Sequence, residues 1–350
     1  MTSTDPFLAA CRGLPHGRTP VWFMRQAGRS LPEYRAVRGE GSILDAIADP
    51  SLAAELTLQP VLRYGVDAAI LYSDIVVPVS AVGFGVDVRP GVGPVVEQPF
   101  ADESDLERLR PLEPETDTPY VLEALKILVD ESPVPVIGFA GAPFTVASYL
   151  IEGSPSRTYG RTKALMSGNP DLWFRLIDRL ADLAISSLRS QIDGGAAAVQ
   201  LFDSWAGALS PAAYERFVQP ATRRVFDAVP DVPRIHFGVG TGEILHLMAD
   251  TGCDVVGVDW RIPIDVARDR LGPDTVLQGN LDPAVCLGSI DVVEAEVADI
   301  LRRNDGHPGH VFNLGHGVLP ETDPAVLEQV VHQVHEMSPN LNSLRNHRMT

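Results

Sequence analysis

The chain is poor in lysine: Lys126 and Lys163 are the only two among its 350 residues. Arginine therefore carries nearly all the positive charge, and any single arginine is weak evidence of function. Cysteine is almost as scarce. Cys11, Cys253 and Cys286 are odd in number and far apart, which excludes a disulfide framework and fits a reducing cytosol. They also lack the paired spacing of a structural zinc site. No run of about eighteen apolar residues occurs, so no membrane span is predicted. Residues 1–13 have neither the basic start nor the long apolar centre of a secretory signal. Basic charge is short as well: 28 Lys and Arg stand against 46 Asp and Glu, a net charge of −18. That argues against a general nucleic-acid binder, which needs a basic surface for phosphates. A small anionic ligand stays open, provided a local positive pocket sits within the acidic exterior.

What is present is an alternation. Short apolar, β-branched runs predict strands at 21–24, 68–72, 134–139, 197–202, 234–237, 255–258, 275–278 and 311–314. Amphipathic stretches between them predict helices at 50–64, 118–129, 170–193, 211–229, 241–250, 292–303 and 324–335. Apolar strands flanked by helices on both sides belong to a buried parallel sheet. Eight βα units in a chain of this length predict an α/β fold, a TIM-type (β/α)₈ barrel, with a doubly wound open sheet as the alternative. Residues 78–100, rich in Val, Gly and Pro, break the pattern and predict an inserted β-hairpin. No Pro/Ser-rich linker divides the chain, so residues 1–350 are expected to form a single domain, with 338–350 as a frayed polar tail.

In a barrel, chemistry gathers just after the C-terminal ends of the strands. The first predicted strand ends in Arg25-Gln26-Ala27-Gly28-Arg29. Two guanidiniums flank a backbone that Gly28 leaves open, an arrangement suited to carboxylate or phosphate. The second ends in Tyr72-Ser73-Asp74. Asp74 is either a helix cap or a functional anion, and two arginines favour the second because they hold a carboxylate ionised. Tyr149 lies one turn beyond the third strand's loop and is either half-buried core or a ligand contact. Ser204 follows the fourth strand without a Gly-x-Ser-x-Gly elbow, so it is not read as a nucleophile. His316, in Gly315-His316-Gly317, has backbone room around it. His307, His310, His332 and His335 are expected at the surface. Gly238 to Gly242 lacks the spacing of a dinucleotide loop.

The ordered run Trp22, Arg25, Gln26, Gly28, Arg29, Pro32, Tyr34 resembles the N-terminal signature of the uroporphyrinogen decarboxylases. The resemblance continues through Tyr72-Ser73-Asp74-Ile75, residues 138–153, 200–207, 236–242 and 313–320, and so spans residues 20–320. It implies a single-domain (β/α)₈ barrel, a homodimer, acting in the bacterial cytoplasm with no metal and no organic cofactor. The implied reaction removes carbon dioxide from the four acetate side chains of uroporphyrinogen III, giving coproporphyrinogen III. It implies a tetrapyrrole as the partner, with neither nucleic acid nor membrane. Carried over residue by residue, the substrate loop falls on Arg25, Gln26, Ala27, Gly28 and Arg29, and the central aspartate on Asp74. The remaining contacts fall on Tyr149, Ser204 and His316. Asp74, Arg25 and Arg29 are the expected catalytic residues.

Two rival readings differ in kind. A zinc-dependent corrinoid- or coenzyme-M-type methyltransferase of the same barrel superfamily needs a His-x-Cys pair and a distant cysteine. Here the matching strand reads His236-Phe237-Gly238, with glycine in the thiol's place. A non-enzymatic tetrapyrrole carrier would keep the pocket without the chemistry.

Overall fold

The computed structural model describes residues 5–39, 41–89 and 92–348, with side chains described as far as Ser338. Nine strands are numbered along the chain. They are β1 (Ala69–Ile70), β2 (Val86–Arg89), β3 (Gly93–Val96), β4 (Val136–Gly141), β5 (Ala198–Asp203), β6 (Arg234–Gly238), β7 (Val255–Gly257), β8 (Val276–Gln278) and β9 (His310–Val311). Seven of them form one parallel sheet in the order β1-β4-β5-β6-β7-β8-β9. Each strand lies beside the next one in the chain, with no reversal of direction. That is the order of a (β/α)₈ barrel rather than of a doubly wound sheet, whose strand order turns back on itself.

The eighth position is filled without a ladder strand. Residues 21–24 make only one parallel bridge, Val21 to Phe312. Trp22 N–H donates to Phe312 O (3.3 Å) as in a ladder, but side chains take three neighbouring amides. Val21 N–H donates to Asp67 Oδ2 (2.8 Å), Phe23 N–H to Gln26 Oε1 (3.0 Å) and Met24 N–H to Asn313 Oδ1 (3.1 Å). Pro20 has no N–H to give. The segment nevertheless closes the wall. Phe312 N–H donates to Pro20 O (2.8 Å), and Asp67 N–H donates to Val21 O (2.7 Å).

Asp67 is the pin of this seam. It is buried and also accepts from Arg18 (2.6 Å) and His335 Nε2 (2.7 Å). Burial by itself would raise its carboxyl. His335, the Val21 N–H and Arg18 outweigh that and hold it below the usual aspartate value. His335 is thus tied down rather than free at the surface. His310 departs further from expectation: it is fully buried on β9, with Nε2–H donating to Gly279 O at 2.9 Å.

Many helices begin on a proline, among them Pro50–Tyr64, Pro143–Glu152 and Pro170–Asp193. The missing N–H is harmless in a first turn and the fixed φ favours the helix. Pro170–Asp193 presents Leu172, Leu176, Ile177, Leu180 and Leu183 to the sheet at helical spacing. The helix expected over 211–229 is two, Pro211–Phe217 and Gln219–Asp227, parted at Val218 (φ −126°). Pro220 lacks the N–H that a continuous helix would need there. The hairpin exists but is shorter than expected. It is β2 and β3 alone, paired antiparallel, and Val77–Ala81 before it is helical. The tail expected to fray from Ser338 instead continues the helix Pro324–Arg348, and Ser338 is buried. Among the described residues no helix is long and apolar enough to cross a membrane.

Candidate active site

The loop after residues 21–24 is shaped by Gln26. This residue is fully buried, its Nε2 donates to Ala68 O (3.1 Å) and its own N–H to Phe23 O (3.1 Å). Gln26 therefore holds the loop to the start of β1, with its side chain buried in the wall. Among the described residues, the N–H groups of Ala27, Gly28 and Arg29 have no protein acceptor. Successive free amides of this kind make an anion-binding concavity. Arg35 clasps the loop from outside through the carbonyls of Arg29 and Ser30. A Cβ at Gly28 would lie 3.0 Å from Arg25 O, close enough to crowd the turn.

Arg25 is held at φ +58°, a conformation that L side chains rarely adopt. Its stem crosses Gly317, where an added Cβ would lie 2.5 Å from Arg25 Cδ. The Met24 and Val318 backbones fix that crossing, Val318 N–H donating to Met24 O at 2.9 Å. Among the described residues neither Arg25 nor Arg29 has an ion pair. Both are exposed.

Asp74 lies after β1. Its Oδ1 accepts the Val76 N–H (3.0 Å) in a turn that leads into the short helix Val77–Ala81. Burial raises its carboxyl above the usual aspartate value. The Val76 and Ile75 N–H groups and the Arg25 charge oppose this only in part. That corrects the expectation that arginine dominates: the site desolvates Asp74 more than it pairs it.

Tyr149 comes from the second turn of Pro143–Glu152, its ring centroid 3.9 Å from that of Trp205. Burial and the Asp74 charge hold its hydroxyl protonated, against the Arg25 charge. Ser204 is the first residue after β5 and its hydroxyl has no partner among the described residues. The adjoining Trp205 N–H donates to Thr145 Oγ1 (3.3 Å), which in turn donates to the buried Asp203 Oδ1 (2.9 Å). His316 accepts the Gly317 N–H at Nδ1 (2.7 Å), so its Nε2 carries the proton. Burial, with Arg25 and Arg261 nearby, pushes His316 down to about 4.

Arg25 is the centre of this group, acting electrostatically on Asp74, Tyr149 and His316. Arg29 lies further along the loop and makes no ion pair with Asp74. Phe139, Phe202, Phe237 and His316 follow one another in edge-to-face contact around the barrel, with centroids 5.3, 6.2 and 6.5 Å apart. Arg261 is a residue the sequence reading missed. It follows β7, donates to the buried Asp259 (2.6 Å) and lies over Trp260. The signal was available, since it stands two residues after an aspartate at a strand end.

His236 serves another purpose. It is fully buried, with Nδ1 3.2 Å from Thr251 Oγ1 and Nε2 3.7 Å from Asp203 Oδ2, and it faces the helices through Phe226. A side chain at Gly238 would start 2.6 Å from Thr241 Cγ2. The zinc-and-thiol pair of the methyltransferase reading thus has no room at its expected place.

A parallel barrel whose strand ends carry arginines without ion pairs and open backbone amides belongs to the class of folds that hold small anions at that end. A family model, uroporphyrinogen decarboxylase (URO-D), matches residues 2–337. Uroporphyrinogen decarboxylase from Salinispora tropica is 58% identical over 342 residues, covering 97% of this chain and 92% of the relative. The Streptomyces coelicolor protein of the same name is 58% identical over 337 residues, covering 95% of each. The chain belongs to the uroporphyrinogen decarboxylase family. In fold it is similar to a methyltransferase from Methanosarcina mazei, with a TM-score of 0.79 at 23% identity, covering 95% of this chain and 98% of that one.

Proposed function

We propose that this chain decarboxylates the four acetate side chains of uroporphyrinogen III to coproporphyrinogen III, within porphyrin biosynthesis. The observation that carries the reading is Asp74, a desolvated carboxylate with no hydrogen bond to another side chain and no ion pair among the described residues, within electrostatic reach of Arg25. Loss of carbon dioxide from an acetate leaves an electron pair beside a pyrrole. Protonating that pyrrole first makes the substrate its own electron sink. The Asp74 carboxylate accepts pyrrole N–H groups and stabilises the cation as it forms, in a desolvated place where such a charge acts strongly. When the C–C bond breaks, the released pair neutralises the cation; a second proton completes the methyl group, and the first proton then leaves the ring carbon to restore the pyrrole, so that one proton is taken up for each carbon dioxide lost. Arg25 and Arg29 take substrate carboxylates, with the open amides of Ala27 to Arg29 beside them. Tyr149, Ser204 and His316 supply neutral O–H and N–H donors to the remaining carboxylates. Gln26 positions the loop. The working form in this reading is a single-domain barrel, paired as a homodimer in the cytoplasm.

Anaerobic incubation of metal-stripped protein with uroporphyrinogen III, with products separated by carboxylate count, tests the proposal. Stepwise loss from eight carboxylates to four is the expected result. Binding without loss returns the carrier reading, and turnover only with zinc and a methyl donor returns the methyltransferase. The same assay tests the seat of Arg25. Gly317→Ala puts a methyl where the arginine stem runs and is expected to lower kcat/KM about tenfold. An unchanged kcat/KM would show that the arginine does not work from that path.

A further inference from the structure

Three non-glycine residues among those described have positive φ: Arg25, Tyr159 and Asp305. Asp305 is the C-cap of the helix Ile290–Asn304, a place where the left-handed conformation ends a helix and a short polar side chain tolerates it. Arg25 is in the pocket. Tyr159, at φ +52°, is bulky and ends no helix. Residues in this region persist only where their surroundings over-determine them, and they gather at functional sites.

The surroundings do fix it. Tyr159 N–H donates to Ser156 Oγ (3.0 Å), and Tyr159 O accepts the Lys163 N–H (2.9 Å) at the start of the helix Gly160–Gly168. Glu152 closes the loop from its other end by accepting both the N–H and the hydroxyl of Thr162, each at 2.9 Å. The product of this bracing is a ring placement. Tyr159 lies with its centroid 5.1 Å from Trp205, the residue on which Tyr149 packs at 3.9 Å. The Trp205 backbone is fixed separately through Thr145 and Asp203.

We infer that Tyr159 is a positioning residue of the decarboxylation site, setting the indole of Trp205 and through it the hydroxyl of Tyr149. The inference rests on the function proposed above. A tyrosine forced into a conformation that glycine adopts freely is there for its ring, not for its backbone.

Tyr159→Gly separates these roles, because glycine removes the backbone cost together with the ring. The expected result is a Tm equal to or above that of the wild type with kcat/KM lowered about tenfold, the scale of a misplaced orienting group. Tyr159→Phe, which keeps the ring, restores most of kcat/KM. In a Trp205→Ala background Tyr159→Gly adds little further loss, since the two act in series. Wild-type kcat/KM in Tyr159→Gly, or a full additional loss in the Trp205→Ala background, overturns the inference while leaving the proposed function standing. A fall in Tm with no recovery of kcat/KM by Tyr159→Phe marks a structural role and overturns it too. Wild-type protein that does not decarboxylate uroporphyrinogen III fails the functional reading itself.

Discussion

Asp74→Asn is expected to lower kcat for uroporphyrinogen III by about 10³-fold, roughly 4 kcal/mol of transition-state stabilisation, while leaving the fold intact. The substitution is discriminating because the wild-type carboxylate has two separable jobs. Its Oδ1 holds the turn before a helix through the Val76 N–H. Asparagine forms the same side-chain-to-backbone turn as aspartate, so its carbonyl takes over that bond and stability should move by less than about 1 kcal/mol. The other position then holds an amide, which presents N–H groups to the pyrrole N–H groups and brings no charge to the cation. Steady-state turnover and urea unfolding of the same preparation check both halves. Turnover within tenfold of the wild type would remove Asp74 from the chemistry. Burial also raises the Asp74 carboxyl, and activity needs the ionised form. The acid limb of kcat/KM therefore lies above the ordinary aspartate value.

The second large effect concerns stability in acid. Burial pushes His310 down to about 3 in the folded chain, against 6.5 for an exposed histidine. Between those values the unfolded chain takes up a proton that the native chain refuses, so stability rises with pH across the window. The neutral ring's contribution is complete above about pH 6.5 and is lost as pH falls toward 3. At about 1.4 kcal/mol per unit the full loss is about 4–5 kcal/mol. His316, pushed down to about 4, adds a slope of the same sign over a narrower range. The measurement is urea unfolding at several pH values from 7 to 4, comparing the wild type with His310→Gln. Glutamine can still donate to Gly279 O but does not titrate, so its acid slope should be shallower. Parallel slopes, or a His310 imidazole signal that titrates near 6.5 in NMR, would refute it.

Most of the barrel was legible because buried parallel strands are continuous apolar runs between turn residues. β5 and β6 fall within a residue of their predicted spans. The first strand was legible as a place in the wall but not as a strand. Its amides are taken by Asp67, Gln26 and Asn313, partners that lie near or far in sequence with no periodic signal. The site was legible as strand-end residue types, and Arg25, Asp74, Tyr149 and His316 do come together. What could not be read was direction. Gln26 was expected to touch a ligand, but its side chain turns into the wall. His310 and His335 were placed at the surface by residue type alone. Both are instead held by tertiary partners, Gly279 and Asp67. Tyr159 and Arg261 escaped because neither belongs to an ordered motif; their roles depend on loops whose course only the folded chain defines.

The bridge between Val21 and Phe312 has a consequence in time as well as space. The arginine loop hangs from one side of that seam and the His316 turn from the other, so the pocket is assembled from the two ends of the polypeptide. Joining positions so distant in sequence carries a large loop-closure entropy, and such contacts form late. During synthesis on the ribosome, β1 and β4 to β8 can pair as they emerge. The His316 side of the site must wait until the segment around Phe312 has cleared the exit tunnel. A nascent chain would thus acquire its wall before its affinity, and tetrapyrrole binding would mark the closing step of folding rather than guide the earlier ones.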